Sequence, residues 1–159
     1  MEKDVIFMQA ALELAREAAR DGEVPVGAVI VHNGEIVGRG RNRREKSKNA
    51  LAHAEIEAIN EACGMLGGWR LPECTMYVTL EPCPMCAGGI VNARIERTVI
   101  ALADARSGAL RSVINLGSYP LNHKTKTEFG LMENEARELM TEFFADLRLK
   151  LRKNKANGM

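Results

Sequence analysis

Residues 75–94, TMYVTLEPCPMCAGGIVNAR, constrain the fold more than any other stretch of this chain. TMYVTL, rich in β-branched and aromatic residues, predicts a strand over 75–80. CPMCAGGIVNAR predicts a helix over 83–94. Pro84 suits the first helical position, where a missing N–H costs nothing, so Cys83 falls at the helix amino terminus. Cys86 follows at i+3, on the same face. A strand that delivers two cysteines to a helix start admits three readings: a redox pair, half of a structural zinc site, or part of a reaction centre. The pair alone does not choose between them.

The remaining chain supplies the context. Residues 5–20 set Val5, Met8, Leu12, Ala15 and Ala19 on one helical face. Two β-branched runs in VPVGAVIVHNGEIVGRG flank Asn33-Gly34, a hairpin signal because both turn residues must tolerate positive φ. A basic loop runs to about Leu51. AHAEIEAINEAC predicts a helix ended by Gly64, RTVIAL (97–102) a strand, and the chain from Glu133 a closing helix carrying Leu139, Phe143, Leu147 and Leu151. A hairpin followed by alternating helix and strand predicts an α/β fold, one mixed central sheet covered by helices. One domain is expected over 1–150, with a basic, flexible tail at 151–159.

At 159 residues, with 46% hydrophobic and 27% charged residues, the composition is that of a soluble globular protein. VPVGAVIV, the longest apolar run, is far too short to span a membrane. MEKDVIF lacks a basic region followed by a long apolar stretch, so a cytoplasmic location and no membrane partner are expected. Lasting disulfides are disfavoured there, and close cysteine pairs bind metal or catalyse. The net charge of +1 offers no global attraction for nucleic acid, but RGRNRREKSK (39–48) holds six bases against Glu45 alone. The segment from Arg148 is also purely basic. Both are read either as solvated segments or as contacts for a polyanion.

A catalytic zinc takes three protein ligands and leaves its fourth position for water. The third ligand is sought in AHAEIEA. His53 and Glu55 are two residues apart and on a continuous helix point to opposite sides. Both reach one site only if His53 lies at the cap and the site sits off the first turn. Two helix starts then converge on one metal, held by His53, Cys83 and Cys86, with Glu55 close enough to move protons without ligating. A thioredoxin-like pair leaves His53-Ala54-Glu55 unexplained, so the reaction centre is the better reading. His-x-Glu followed by Pro-Cys-x-x-Cys is the pattern of zinc nucleobase deaminases.

Beyond that signature, the chain closely resembles the bacterial tRNA adenosine deaminases, the TadA family within the cytidine/deoxycytidylate deaminase superfamily. The shared residues are Glu23-Val24-Pro25-Val26-Gly27-Ala28-Val29, Asn42, AHAEIEAI, WRL (69–71), YVTLEPC, MCAGGIVNARI, Asp104, Gly108, Asn122-His123 and Phe143-Phe144. The resemblance implies a cytidine-deaminase-like three-layer fold, one zinc per subunit and a homodimer. It implies conversion of adenosine to inosine at the wobble position of a tRNA anticodon stem-loop. Asn42 would hold the ribose of the flipped nucleotide and Ala54 would offer backbone contacts to the base, with Asp104 and Asn122 around the anticodon loop. Arg43, Arg44 and Lys46, next to Asn42, are expected along the RNA backbone. Leu110-Arg111 departs from the family's small residue and glycine, and Arg111 is read as a phosphate contact or a helix cap. Two alternatives remain: a deaminase of free guanine or a cytosine nucleoside, and a zinc-stabilised RNA-binding module without catalysis. Glu55 argues against the second, because a purely structural site has no use for a carboxylate that is not a ligand.

Other residues are expected to be structural. Cys63 and Cys74 read as small core hydrophobes, His32 as a satisfied residue beside the turn, and Glu81 as a backbone-bonding carboxylate. Trp69 and Tyr77 read as core.

Overall fold

The computed structural model describes residues 2–158; Met1 and Met159, in the expected domain and tail, lie outside them. Along the chain run helix α1 (Glu2–Arg20), strands β1 (Gly27–His32) and β2 (Glu35–Arg41), a single-turn helix α2 (Arg44–Ser47), and α3 (Ala54–Leu66). Then come β3 (Cys74–Leu80), α4 (Pro84–Ala93), β4 (Arg97–Leu102), β5 (Lys126–Phe129) and α5 (Glu133–Ala156). The strands form one sheet in the order β2-β1-β3-β4-β5. β1 runs antiparallel to β2 and β3, whereas β3, β4 and β5 are parallel. The sheet is mixed, as expected.

Strand alternation builds two cores. Ala28, Ile30, Met76, Val78 and Ile100 point to one face and pack with Ala58 and Ala62 of α3 and Ala87 and Ile90 of α4. Val29, Val31, Tyr77, Val99 and Ala101 point to the other and pack with Met8, Ala11 and Leu12 of α1 and Ala136 of α5. Helices on both faces give the three-layer architecture. At the β1–β2 turn, Asn33 (φ 50°) and Gly34 (φ 78°) are both left-handed, as the hairpin requires. Gly40 has a different purpose. A Cβ there would lie 2.0 Å from the Ala54 carbonyl, so the bare backbone lets the first turn of α3 press onto β2.

Several elements differ from the sequence reading. β5 carries no sequence signal: KTEF is a short, charged edge strand with no apolar alternation to reveal it. α3 runs past Gly64 and ends at Gly67, whose positive φ (76°) closes the helix onto the Cys63 carbonyl. Trp69 is not core. It is 58% exposed, with the Arg70 guanidinium 4.4 Å from its ring centroid. Tyr77 is buried as expected. Residues 151–156, expected as a flexible tail, are the exposed last turns of α5. Leu147 and Leu151, expected on that helix's apolar face, are exposed as well. Leu and basic residues are good helix formers, which keeps the helix going beyond the body that α5 packs on.

Candidate active site

Two helix starts meet, that of α4 following directly on the central strand β3. His53 occupies the cap position of α3 in extended conformation (φ −90°, ψ 150°). Cys83 does the same for α4 (φ −72°, ψ 174°), with Pro84 at the first helical position. The His53 Nδ1 lies 3.7 Å from Cys83 Sγ and 3.6 Å from Cys86 Sγ. All three ligand atoms fall within 4.8 Å of one another, and they form the only such cluster among the described residues. A tetrahedral zinc with ordinary Zn–S and Zn–N bonds separates nitrogen from sulfur by about 3.6 Å. The donor set and its spacing fit zinc. Cys63 and Cys74 lie outside the cluster, as expected.

The electrostatics agree with that use. Hydrogen bonding from Cys86, assisted by His53, holds the Cys83 thiol down at about 4 although burial opposes it. One thiolate therefore stands ready for a cation. The same contact, together with burial, drives Cys86 up, and the Cys83 thiolate raises His53. Glu55, in the first turn of α3, is 3% exposed. Burial pushes its carboxyl up to about 7, against the pull of its own backbone N–H. It is a buried acid beside the three ligand atoms and not one of them.

These groups open on a cavity of about 820 Å³. Asn42, Arg44, His53, Glu55, Cys83 and Asp104 all line it, so the structure brings most of the expected residues together. Ala54 is buried in the first turn of α3. Asn122 is exposed and does not line this cavity, while its neighbour His123 is fixed by a 2.7 Å bond to the Ile95 carbonyl. Two of the three bases expected along RNA are already engaged. Arg43 pairs with Glu57 at 2.9 Å, and Lys46 lies 3.6 Å from Asp21. The Arg111 guanidinium stacks 3.8 Å from the Phe129 ring centroid.

Two features of the walls escaped sequence reasoning. Met140, Thr141 and Arg148 of α5 line the cavity beside Phe144. The sequence signals the aromatic pair at 143–144 by resemblance and Arg148 by its basic segment, but neither Met140 nor Thr141. Glu23, 2% exposed, accepts the N–H groups of Glu45 (3.1 Å) and Lys46 (2.7 Å), anchoring the segment that carries Asn42 and Arg44. Its partners lie 22 and 23 residues away, and no local pattern announces them. Glu81 is the backbone-bonding carboxylate expected, gathering the loop over 104–112.

Residues 1–102, which include the three clustered ligands, match the cytidine and deoxycytidylate deaminase zinc-binding region. A tRNA-specific adenosine deaminase from Bacillus subtilis (strain 168) is 42% identical over 99% of this chain and 98% of its own length. One from Aquifex aeolicus (strain VF5) is 46% identical over 89% of this chain and 94% of its own. The chain belongs to the tRNA-specific adenosine deaminase family. A structure solved in a study of A-to-I editing by tRNA:A34 deaminases at the wobble position matches with a TM-score of 0.81. It is 43% identical and covers 84% of this chain and 97% of that one. A guanine deaminase from Bacillus subtilis matches with a TM-score of 0.60 and 33% identity, over 74% of this chain and 85% of that one. Of these two folds, this member of the tRNA-specific adenosine deaminase family lies nearer the first.

Proposed function

We infer that the protein deaminates adenosine to inosine at the wobble position of a tRNA anticodon, with zinc held by His53, Cys83 and Cys86. One observation carries this reading: Glu55, buried and not a ligand, sits beside a three-ligand cluster at the base of a large cavity, in a chain of that family. Zinc in such a site supplies the acidity that makes water a nucleophile at neutral pH. The residues do the rest. The Glu55 carboxylate takes a proton as water attacks C6 of the adenine and delivers it to N1. A further proton passes through Glu55 to the amino nitrogen, which leaves as ammonia. Asn42 holds the ribose, the Ala54 backbone meets the base edge, and Asp104 stands at the cavity wall towards the flanking nucleotides. Asn122 contacts the anticodon loop from outside the cavity.

Arg44 lines the cavity and takes a flanking phosphate. Arg148 of α5, which lines the same cavity, takes another. Arg43 and Lys46 join the RNA backbone by exchanging their present carboxylate partners for phosphate. The protein acts as a two-fold homodimer in the cytoplasm. Leu51, Met65, Val113, Ile114 and Leu121 are exposed in the single chain. Among the described residues, no helix is long and apolar enough to cross a membrane. Light scattering on active enzyme should give twice the chain mass of 17.5 kDa, and the single-chain mass refutes the dimer. The substrate class is tested by incubating purified protein with tRNA, guanine and cytidine. Inosine from tRNA alone supports the reading, whereas turnover of guanine or cytidine alone assigns the site to a small base.

A further inference from the structure

Glu81 stands at the end of β3, two residues before Cys83, and is 2% exposed. Its Oε1 accepts the Asp104 N–H at 3.0 Å and also the Ser112 hydroxyl. Its Oε2 accepts the N–H groups of Leu110 (3.1 Å), Arg111 (2.8 Å) and Ser112 (2.9 Å). The loop wraps the carboxylate so closely that a Cβ at Gly108 would lie 2.3 Å from Glu81 Cδ. The adjoining backbone is tied as well, because Ala109 N–H donates to the Pro82 carbonyl at 2.9 Å. This same loop supplies Ala103 to Ser107 as one wall of the cavity.

A carboxylate offers about four lone-pair sites. Five donors saturate it, so Glu81 has nothing left to offer a substrate. We infer that Glu81 is a positioning residue, which fixes Asp104 and the 103–107 wall relative to the Cys83 ligand and so sets the grip on RNA. The inference rests on the functional reading above and adds a specific role to it. The junction carrying Cys83 and the loop carrying Asp104 are held in one frame through a single buried side chain.

The chemistry of a glutamine at this position provides a selective test. Its carbonyl can keep the three N–H donors of residues 110–112, and its amide group then faces the Oε1 side. The Ser112 hydroxyl can rotate to accept from that amide, but the Asp104 N–H cannot. Glu81→Gln therefore strips one bond, the one to Asp104. Ser112→Ala removes the hydroxyl and leaves that bond in place.

The test compares wild type, Glu81→Gln and Ser112→Ala, each loaded with zinc. It reads amide exchange at Asp104 together with kcat and KM on an anticodon stem-loop RNA. In wild type the Asp104 amide should exchange slowly, like those of β3. In Glu81→Gln it should exchange at least roughly tenfold faster, with zinc retained, KM raised about tenfold and kcat within about threefold. Ser112→Ala should match wild type in all three readouts. A rapidly exchanging Asp104 amide in wild type overturns the inference even if Glu81→Gln fails to fold. So does a fall in kcat with KM unchanged, which would place Glu81 in the service of the metal centre. Amide exchange needs no substrate, so a wild type that forms no inosine defeats the functional reading and still leaves the pinning decided.

Discussion

Glu55 and the three clustered ligands divide the chemistry by burial and charge. A carboxyl at 3% exposure that is not spent on a metal is costly to bury, and the proton transfer proposed for Glu55 would account for keeping it there. Glu55→Gln keeps the shape and removes the base. It should retain fold and zinc while lowering kcat by about 10²–10⁴-fold; activity within a few-fold of wild type removes Glu55 from the mechanism. The ligands are tested separately. Cys83→Ser or Cys86→Ser should lose zinc, while Cys63→Ser should keep one zinc per chain by metal analysis. Equal loss in the Cys63 variant contradicts the ligand set. These residues were legible in the sequence because ligand spacing and a helix-start proline are local signals. Trp69 was not, since hydrophobicity alone does not reveal that a glycine-rich loop turns a ring outward under an arginine.

Between elements, the fold is fixed by partners far apart in sequence, and there the sequence spoke less. Strands β1 to β4 declared themselves through β-branched alternation, and Asn33-Gly34 named its own turn. β5 did not, because its place depends on pairing with β4 and on an ion-pair network that joins three elements. Arg97 of β4 bonds Asp4 of α1 at 2.7 Å and also pairs with Glu128 of β5. The Arg97 contact holds the Asp4 carboxyl at about 2 against its ordinary 3.8, although burial opposes it. A depressed folded value means that the unfolded chain takes up the proton first. The contribution is therefore complete above about pH 4 and is lost as pH falls through about 2. Asp4→Asn should cost about 1–2 kcal/mol at pH 6, with the gap to wild type closing towards pH 2 in denaturant titrations. A gap independent of pH contradicts this role for the pair.

The molecule is one sheet between helices, in which the starts of α3 and α4 converge on the ligand cluster and α5 contributes to the wall of the cavity. The α/β class and the convergence of two helix starts followed from hairpin, alternation and ligand count. The reach of α5 did not, because Leu147 and Leu151 continue a helical spacing that the body no longer covers. Nor did the engagement of Arg43 and Lys46, whose acidic partners come from α3 and from the segment after α1. Specificity belongs to this scale, since the cavity of about 820 Å³ is framed by five separate segments and helix α5. The most direct test is to treat tRNA bearing adenosine at the wobble position with zinc-loaded wild-type protein and map inosine by sequencing. Inosine at that position, and its absence with Glu55→Gln, is the predicted result. No inosine in that tRNA, under conditions where the zinc-loaded protein is folded, contradicts the account.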